Sequence, residues 1–333
     1  MDSAIEIKDP NLLLHIHNIR TVLKTRSGEV TPVDGVEVRI PYKKTVGLVG
    51  ESGCGKSMTA MSVMGLLPRG GRVVEGEILL EGEDLLIKTD VERRDISGNN
   101  ISMIFQEPMT SLNPVMTVGK QVMEAITLHQ NVSKDEARNR VIDIFRAVGI
   151  PEPEKRFKAY PHQLSGGLRQ RVMIGMAMVC RPNLLIADEP TTALDVTIEA
   201  QILHLMRKLQ QEEGTSILMI THNLGVVAEI CDSVYVMYAG KVVEHSDVFE
   251  LFDNPSHPYT LGLLASMPST DSSKRLYNIP GSVPTLKNLP DGCRFCDRCE
   301  RAFDRCSKEQ PPLYDIGNGH LVRCFLFDKE GRA

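Results

Sequence analysis

The sequence predicts an α/β protein with a mixed β core, a helical subdomain and a small cysteine-rich C-terminal extension. Three observations lead to this prediction. Short apolar runs typical of strands alternate with segments of helical period, which indicates a parallel sheet flanked by helices. Residues from about 108 to 164 are mostly helical in pattern. Five of the eight cysteines crowd into the last part of the chain.

The central strands are predicted from three apolar runs, at residues 45–49, 184–187 and 216–220. Such continuous runs are expected of strands that are buried on both faces. Apolar and polar residues alternate at 14–17 and 36–40, which predicts half-exposed strands. Turns at Glu81-Gly82 and Ala239-Gly240 predict two hairpins.

Helices are predicted between these strands. One follows Lys56, with an apolar face that extends to Leu67 and an end at Pro68. Another opens at Ser133, where the spacing to Glu136 predicts a capping box. A third covers about residues 198–213, between the second and third apolar runs.

The composition restricts the function. The 333 residues carry a net charge of −5, which argues against a broad basic face, so we expect no nucleic-acid partner. The first six residues have no basic region and no apolar core, so we expect no secretory signal. The longest apolar run, at 172–180, is too short to cross a bilayer. If the protein works at a membrane, another chain must hold it there.

A glycine-rich segment fits the phosphate-binding loop pattern at all its fixed positions, after a predicted strand and before a predicted helix. Glycines let consecutive backbone N–H groups point at one anion, and the helix N-terminus adds a favourable dipole. Lys56 is expected to reach the β- and γ-phosphates, and Ser57 to offer a hydroxyl to Mg²⁺. Cys54 occupies a free position and is expected to be passive. The segment is Gly50-Glu51-Ser52-Gly53-Cys54-Gly55-Lys56-Ser57.

Two carboxylates follow the apolar run at 184–187. The carboxyl ends of parallel strands border the ligand crevice of an open α/β sheet. Asp188 is therefore predicted to hold the Mg²⁺ shell, and Glu189 to polarise an attacking water. Alone, two acids after an apolar run are usually a solvated strand end, but the phosphate loop in the same chain favours the catalytic interpretation.

A second helix N-terminus suited to phosphate follows Leu164. Ser165, Gly166 and Gly167 open a helix that continues through residues 172–180. A chain with two such anion sites and one sheet suggests a head-to-tail dimer, in which each subunit completes the nucleotide site of the other.

At these residues the chain resembles the ABC transporter ATPases. Residues 164–167 are similar to the signature of that family, and residues 50–57 and 184–189 to its Walker A and Walker B motifs. Gln106 stands where the family has a glutamine that contacts Mg²⁺ and water. The segment Ala193-Leu194-Asp195 looks like the D-loop, and His222 like the switch histidine. The resemblance covers about residues 16–244.

The resemblance implies a role for each matching position. Catalysis would fall to Glu189, His222 and Gln106, and Mg²⁺ would be held by Ser57, Gln106 and Asp188. Contacts in trans to a nucleotide of the partner subunit would come from Ser165, Gly166, Gly167 and Asp195. The positions expected to bind ATP are Gly50, Glu51, Ser52, Gly53, Cys54, Gly55, Lys56, Ser57, Met58, Gln106 and Asp188.

One position departs from the family pattern. The family usually stacks an aromatic ring from an early strand on adenine, whereas the corresponding stretch here, residues 20–24, has no aromatic residue. Val22 or Leu23 could still pack apolar surface on the base. Because stacking contributes about 1–3 kcal/mol per base, the affinity for adenine nucleotides is expected to be weaker or less selective.

The block at 105–114 and the segments after the core resemble the peptide-importer branch of the family. The cysteine positions of that branch, which in some members bind a four-iron–four-sulphur cluster, coincide with Cys293, Cys299, Cys306 and Cys324. Cys296 is additional. Thiolates in a chain without a secretion signal suit metal better than disulfides, and four of them also suit Zn²⁺. We expect a [4Fe-4S] cluster, with Zn²⁺ as the alternative.

The sequence predicts a nucleotide-binding domain at 1–253, with a helical subdomain at about 107–165, and an extension at 254–333. The resemblance implies an ATP-hydrolysing subunit of a di- or oligopeptide importer, peripheral at the cytoplasmic face of the cell membrane. Its partners would be a paralogous ATPase, two transmembrane permease subunits and, indirectly, an extracellular substrate-binding protein. Alternatives are an importer of nickel or sugars, a soluble ABC ATPase of translation or DNA repair, and an ATP-regulated redox sensor.

Overall fold

The computed structural model describes residues 9–26, 28–106, 111–192, 195–267 and 277–329. They form two compact units, each described here by itself. The first unit contains the described residues up to Leu14, Ile40–Lys44 and Ile87–Met219. The second unit contains His15–Arg39, Thr45–Leu86 and the described residues from Ile220 onward.

Twelve strands are present in the described residues. They are β1 Leu12–Thr25, β2 Gly28–Pro41, β3 Thr45–Val49, β4 Gly71–Leu80, β5 Glu83–Asp84, β6 Ile101–Ile104, β7 Leu184–Asp188, β8 Ser216–Thr221, β9 Ser233–Tyr238, β10 Lys241–Asp247, β11 Tyr314–Asp315 and β12 Leu321–Val322. The α-helices are α1 Lys56–Met64, α2 Asp90–Ile96, α3 Val118–His129, α4 Lys134–Ala147, α5 Pro153–Arg156, α6 Gly166–Met178, α7 Val196–Glu213, α8 Leu224–Ile230, α9 Val248–Asp253, α10 Pro258–Ala265 and α11 Asp304–Lys308.

In the first unit the strand order is β8-β7-β6. Strands β6 and β7 pair in parallel, with Ile101 opposite Leu184 and Ile104 opposite Ala187. Every residue of β7 and β8 is buried, as their continuous apolar runs predict. Helices α3, α4 and α6 pack against one another and form the helical part of this unit.

In the second unit, β2, β1, β4 and β5 form one sheet in that order, and β11, β12, β10, β9 and β3 lie side by side in another. Strands β3 and β9 are parallel, whereas β9 and β10 form the antiparallel hairpin predicted at Ala239-Gly240. Both turn residues have positive φ, +43° and +87°. This mixture of parallel and antiparallel pairing confirms the predicted mixed α/β class.

The extension is joined to this sheet by strand pairing and by a buried carboxylate. Strand β12 pairs antiparallel with β10, with Val322 opposite Glu244. Glu244 is fully buried and accepts hydrogen bonds from the backbone N–H groups of Ser256 and His257, at 2.7 and 3.0 Å. His320 Nε2 lies 2.7 Å from the same carboxylate. A buried carboxylate needs such partners, so Glu244 ties the extension to the strands before it.

Two helix ends differ from the sequence predictions. Helix α1 ends at Met64 rather than near Pro68, because Gly65 adopts a left-handed conformation with φ +68° and its N–H bonds back to the last turn. At α4, Ser133 accepts the N–H of Glu136 at 3.2 Å, but the Glu136 carboxylate pairs with Arg140. Only half of the predicted capping box therefore forms. No helix among the described residues is long and apolar enough to span a membrane.

Candidate functional site

The phosphate loop lies in the second unit between β3 and α1, and its glycines are required by close backbone approaches. Gly50 has φ +151°, and a Cβ there would lie 2.1 Å from the carbonyl oxygen of Met237. Gly55 has φ +112°, and its Cβ would lie 2.3 Å from the carbonyl oxygen of Pro32. Any side chain at either position would displace the backbone.

Lys56 begins α1 and is buried, with 5% of its surface exposed. Its Nζ donates to the carbonyl oxygens of Gly50 and Glu51, at 2.7 and 3.1 Å, so the ammonium lies inside the loop. No side chain caps the N-terminus of this nine-residue helix. Its first N–H groups and the helix dipole therefore favour an anion at this end. Ser57 and Met58, in the first turn, are half-buried.

The remaining loop residues differ in exposure. Ser52 and Gly53 are exposed, whereas Cys54 is fully buried. Burial raises the pKa of the Cys54 thiol, so this thiol stays protonated at neutral pH. The carbonyl oxygen of Cys54 accepts the N–H of Gly240 at 2.8 Å. Backbone bonding and an unreactive thiol agree with the expected passive role of Cys54.

Glu51, at the start of the loop, is held by two side chains of the extension that the sequence analysis did not single out. Arg298 pairs with its carboxylate at 2.7 Å, and the hydroxyl of Tyr259 accepts its backbone N–H at 2.9 Å. Arg298 lies between Cys296 and Cys299, and Tyr259 lies among the segments after the core that resemble the peptide-importer branch. No local pattern marks either residue as a partner of the loop.

In the first unit, Gln106 and Glu189 are brought together by the parallel pairing of β6 and β7. Gln106 Nε2 donates to Glu189 Oε2 at 3.1 Å, and Thr192 Oγ1 donates to the same oxygen at 2.8 Å. Asp188, the last residue of β7, is buried. Glu189 has φ +47°, a conformation that non-glycine residues seldom adopt.

The predicted signature residues occupy an exposed helix N-terminus in the first unit. Ser165 caps α6, and its Oγ accepts the N–H of Leu168 at 3.4 Å. Ser165 and Gly166 are exposed, and a Cβ on Gly166 would meet no atom within 4 Å. A second molecule could therefore approach this helix end closely.

Asp195 caps α7 beside the signature. Its Oδ1 accepts the N–H of Ile198 at 2.9 Å. A Cβ on Gly167 would lie 3.2 Å from Ile198, so the starts of α6 and α7 are close neighbours. Val196, the residue after Asp195, is 81% exposed. Ala193 and Leu194, also predicted for the D-loop, lie outside the described residues, as do residues 107–110 of the block after Gln106.

His222 directly follows β8 and belongs to the second unit. Its side chain is exposed, and the next residue fixes the local backbone. Asn223 donates its N–H to Thr221 Oγ1 at 3.0 Å and caps α8 by accepting the N–H of Gly225 at 2.9 Å. Two hydrogen bonds thus hold the backbone that follows the exposed His222.

In the second unit, the early strand that lacks an aromatic residue offers one apolar side chain for contact with a base. Val22 is buried, with 3% of its surface exposed, whereas Leu23 is half-buried. Leu23 is therefore the better candidate of the two for packing on adenine.

All five cysteines of the extension line one small pocket. Its other walls are mainly apolar: Pro258, Phe295, Pro311, Phe325 and Leu326. Gly292 approaches the chain so closely that a Cβ would lie 2.2 Å from the carbonyl oxygen of Cys306, which also accepts the N–H of Cys293 at 2.7 Å. The cysteines are thus drawn together by backbone contacts as well as by side-chain packing.

The sulphur atoms of this pocket do not form a close group of three. Among the described residues, no three cysteine Sγ atoms lie within 4.8 Å of one another. A single Zn²⁺ with Zn–S bonds of about 2.3 Å would require separations of about 3.8 Å. Burial raises the pKa of Cys293 to about 12 and those of Cys296 and Cys324 to about 11. Four thiolates here would need a cation to balance their charge.

The comparisons with known proteins agree with these features. Residues 33–192 match the family described as ABC transporter, and residues 243–306 match the oligopeptide/dipeptide transporter, C-terminal region. The fold is similar to the dimeric structure of MJ0796, a bacterial ABC transporter cassette, with TM-score 0.64 and 26% identity over 71% of this chain and 98% of that chain. It is also similar to cbiO1 from Clostridium perfringens, with TM-score 0.63 and 26% identity over 73% and 92% of the two chains. The chain is therefore an ABC transporter ATPase, as predicted.

Curated relatives identify the branch. The oligopeptide transport ATP-binding protein AppD of Bacillus subtilis is 53% identical over 321 residues, which cover 96% of this chain and 98% of the relative. A putative peptide import ATP-binding protein of Brucella ovis is 51% identical over 95% and 98% of the two chains. OppD of Salmonella typhimurium is 48% identical over 97% of both. The chain belongs to the oligopeptide transport ATP-binding proteins of the ABC family, which confirms the predicted branch.

Proposed function

We propose that this chain binds MgATP and hydrolyses it to energise the uptake of di- or oligopeptides through a membrane permease. The observation that carries the catalytic part is the Gln106–Glu189 hydrogen bond of 3.1 Å at the carboxyl ends of two paired parallel strands. An ionised carboxylate held in this way is a general base with a fixed orientation. The names of the curated relatives support peptides as the transported class.

The phosphates would be bound by the backbone N–H groups of residues 50–58 and by the ammonium of Lys56. Mg²⁺ prefers oxygen ligands, and each of the three residues proposed to bind it carries one: a hydroxyl, an amide oxygen and a carboxylate. Bound Mg²⁺ neutralises charge on the phosphates. Glu189 orients and deprotonates the attacking water, and His222 contacts the γ-phosphate. The proposed ligands of Mg²⁺ are Ser57, Gln106 and Asp188.

A second subunit would complete the site. Ser165, Gly166, Gly167 and Asp195 are proposed to contact a nucleotide held by the partner, because Ser165 and Gly166 are exposed at an open helix N-terminus. The exposed Val196 beside them supplies apolar surface for such an interface. The partner is proposed to be a paralogous ATPase. The two ATPases would dock on two permease subunits at the cytoplasmic face of the membrane. An extracellular binding protein would deliver the substrate to the permease.

The extension is proposed to hold a [4Fe-4S] cluster through Cys293, Cys299, Cys306 and Cys324. The donor set is soft thiolate sulphur in a mostly apolar pocket, which suits such a cluster. The resemblance of these four positions to the cysteines of the peptide-importer branch favours a cluster over Zn²⁺. Cys296 donates its S–H to Asp297 at 3.4 Å and is proposed to be dispensable. The centre would be structural, since the extension is too small to fold on its own apolar core.

The test is transport by the reconstituted assembly. The chain, purified with the proteins that accompany it from detergent-solubilised membranes, is placed in liposomes, and ATP-driven uptake of a labelled tripeptide is measured. We expect uptake with the wild type and none with Glu189→Gln. If two polytopic proteins do not accompany the chain, or if ATP drives no peptide uptake, the proposed function is wrong.

A further inference from the structure

The cysteine-bearing turn of the extension reaches the phosphate loop through one ion pair in the second unit. Arg298 Nη1 donates to Glu51 Oε2 at 2.7 Å, and Nη2 donates to Glu51 Oε1 at 3.1 Å. The pair is a two-pronged fork, the geometry in which arginine binds a carboxylate most specifically. The Arg298 side chain is only 5% exposed and that of Glu51 is 31% exposed, so water reaches this pair from the carboxylate side only.

The remaining donors of Arg298 are fixed by the extension itself. Nε donates to the carbonyl oxygen of Pro280 at 2.8 Å, and Nη2 also reaches that of Ile279 at 3.4 Å. The guanidinium lies 5.8 Å from the ring centre of Tyr238 and 5.9 Å from that of Phe295. A guanidinium held on all sides in this way has little freedom, and its position follows that of the surrounding turn.

The backbone of Glu51 is held as well. Its N–H donates to the hydroxyl of Tyr259, which is fully buried. The Tyr259 ring packs edge-on against Tyr238, with ring centres 4.7 Å apart, and lies 5.4 Å from Phe295. Residues of the extension thus fix both the side chain and the backbone of the first non-glycine residue of the loop.

Arg298 is part of the turn that carries the cysteines. It ends a single 3-10 turn, Cys296–Arg298, whose next residue is Cys299. The N–H of Arg298 bonds to Phe295 at 3.0 Å, and that of Cys299 bonds to Cys296 at 3.2 Å. Any change in the cysteine pocket that moves this turn must move the guanidinium with it.

A second arginine anchors the same turn near the loop. Arg294 donates to Asp34 and to the carbonyl oxygen of Ala239. The neighbouring Gly240 bonds to Cys54 in the phosphate loop at 2.8 Å. Two arginines therefore anchor the turn beside the loop, and of the two only Arg298 pairs with a charged residue of the loop itself.

The negative charge of Glu51 connects the Arg298–Glu51 ion pair to nucleotide binding. A carboxylate in a loop that binds a polyanionic nucleotide repels that nucleotide, and the repulsion is strong where water is excluded. The guanidinium of Arg298 cancels this charge. The geometry points to the extension as a positioning element of the ATP site: its cysteine centre sets ATP affinity by holding Arg298 against Glu51. This inference rests on the proposed binding of ATP at the loop.

The first test measures equilibrium binding of a non-hydrolysable ATP analogue to the full chain. We expect Arg298→Ala to weaken binding about tenfold or more, because a buried charged hydrogen bond is lost and a carboxylate is left unpaired. Adding Glu51→Gln to that variant removes the unpaired charge and should restore most of the affinity. Arg298→Lys, which keeps the charge without the fork, should fall between. Lys287→Ala, an exposed change elsewhere in the extension and away from the cysteine pocket, is the control and should bind normally.

A purely structural role of Arg298 predicts the opposite for the double variant, because Glu51→Gln would then remove a further interaction and restore nothing. That result, or normal binding by Arg298→Ala, overturns the inference. Thermal unfolding establishes that each variant is folded. If Arg298→Ala does not fold, the binding measurement is made with Arg298→Lys and Tyr259→Phe instead. Normal binding by both folded variants also overturns the inference. A wild-type chain that binds no ATP would instead overturn the proposed function.

The second test connects the cysteines to the loop. Cys306→Ser should weaken binding of the analogue in the wild-type chain, but should add little in the Arg298→Ala chain, since both changes act through the same contact. If Cys306→Ser lowered the affinity for the analogue equally in the wild-type and Arg298→Ala chains, the cysteine centre would not act through Arg298, and the inference would be wrong. Binding is the readout, so the test does not depend on transport activity.

Discussion

Gln106 and Glu189 are 83 residues apart in the chain and are joined by a hydrogen bond of 3.1 Å from the Gln106 amide to the Glu189 carboxylate. Thr192 donates to the same carboxylate oxygen, and Glu189 itself has φ +47°. A carboxylate held by two donors in a sparsely populated backbone conformation is oriented before any substrate arrives. The predicted general base of the ATPase is thus fixed by groups of its own unit.

Glu189→Gln is expected to lower ATP turnover by about 10²–10⁴-fold while ATP binding is retained, because the amide cannot accept the proton of the attacking water. Phosphate release and nucleotide binding are measured side by side. Lys56→Ala is the contrasting variant and should weaken binding itself, because a direct phosphate contact is lost. Turnover close to that of the wild type in Glu189→Gln would remove Glu189 from the mechanism.

Ser165→Arg is expected to leave ATP binding by the isolated chain unchanged and to abolish hydrolysis in the assembled dimer. The reason is that the exposed N-terminus of α6 is proposed to act on the nucleotide of the partner subunit. ATPase activity is measured after mixing this variant with a partner whose own signature is intact or altered. Loss of ATP binding by the monomeric variant would show that Ser165 acts on its own nucleotide.

Cys306→Ser is expected to remove the visible colour of an anaerobically purified protein and to make the extension susceptible to proteolysis, because a ligand of the proposed cluster is lost. Cys296→Ser is the matched control and should preserve both properties. Metal analysis distinguishes the outcomes. Stoichiometric zinc in a colourless protein would show that the extension binds Zn²⁺ and not a cluster. A metal-free extension that resists protease would exclude both the cluster and Zn²⁺.

The second unit is expected to lose stability in mild acid, and His245 is one of the histidines that cause this. Its ring stacks on Tyr235, with ring centres 3.9 Å apart, and burial lowers the pKa of His245 to about 4, against 6.5 for the free side chain. Between these values the unfolded chain binds the proton more readily, so this contribution to stability is complete above pH 6.5 and is lost as the pH falls towards 4.

The measurement is the midpoint of thermal unfolding from pH 7 to pH 4. His245→Phe keeps an aromatic ring against Tyr235 without the titration, so its midpoint should fall less steeply with pH than that of the wild type. The same substitution at the exposed His204 is the control and should keep the wild-type slope. Equal slopes for His245→Phe and the wild type would show that His245 does not cause the acid sensitivity.

The sequence by itself determined the fold class, the phosphate loop, the strand that ends at Asp188 and the cap of α6. These features are local: apolar period, glycine spacing and helix-capping residues lie within a few positions of one another, so the pattern carries the chemistry. The family and its peptide branch followed from the same short motifs. The end of α1 was predicted too far along the chain, because the conformation of Gly65 outweighed the apolar face that continues to Leu67.

Only the tertiary structure decided which distant groups meet. The bond between Gln106 and Glu189 depends on the parallel register of β6 and β7, and the ion pair between Glu51 and Arg298 spans 247 residues. The separation of the cysteine sulphurs likewise depends on how the extension packs, and not on the spacing of the cysteines. Such pairings result from the packing of whole elements, so no short segment of the sequence encodes them.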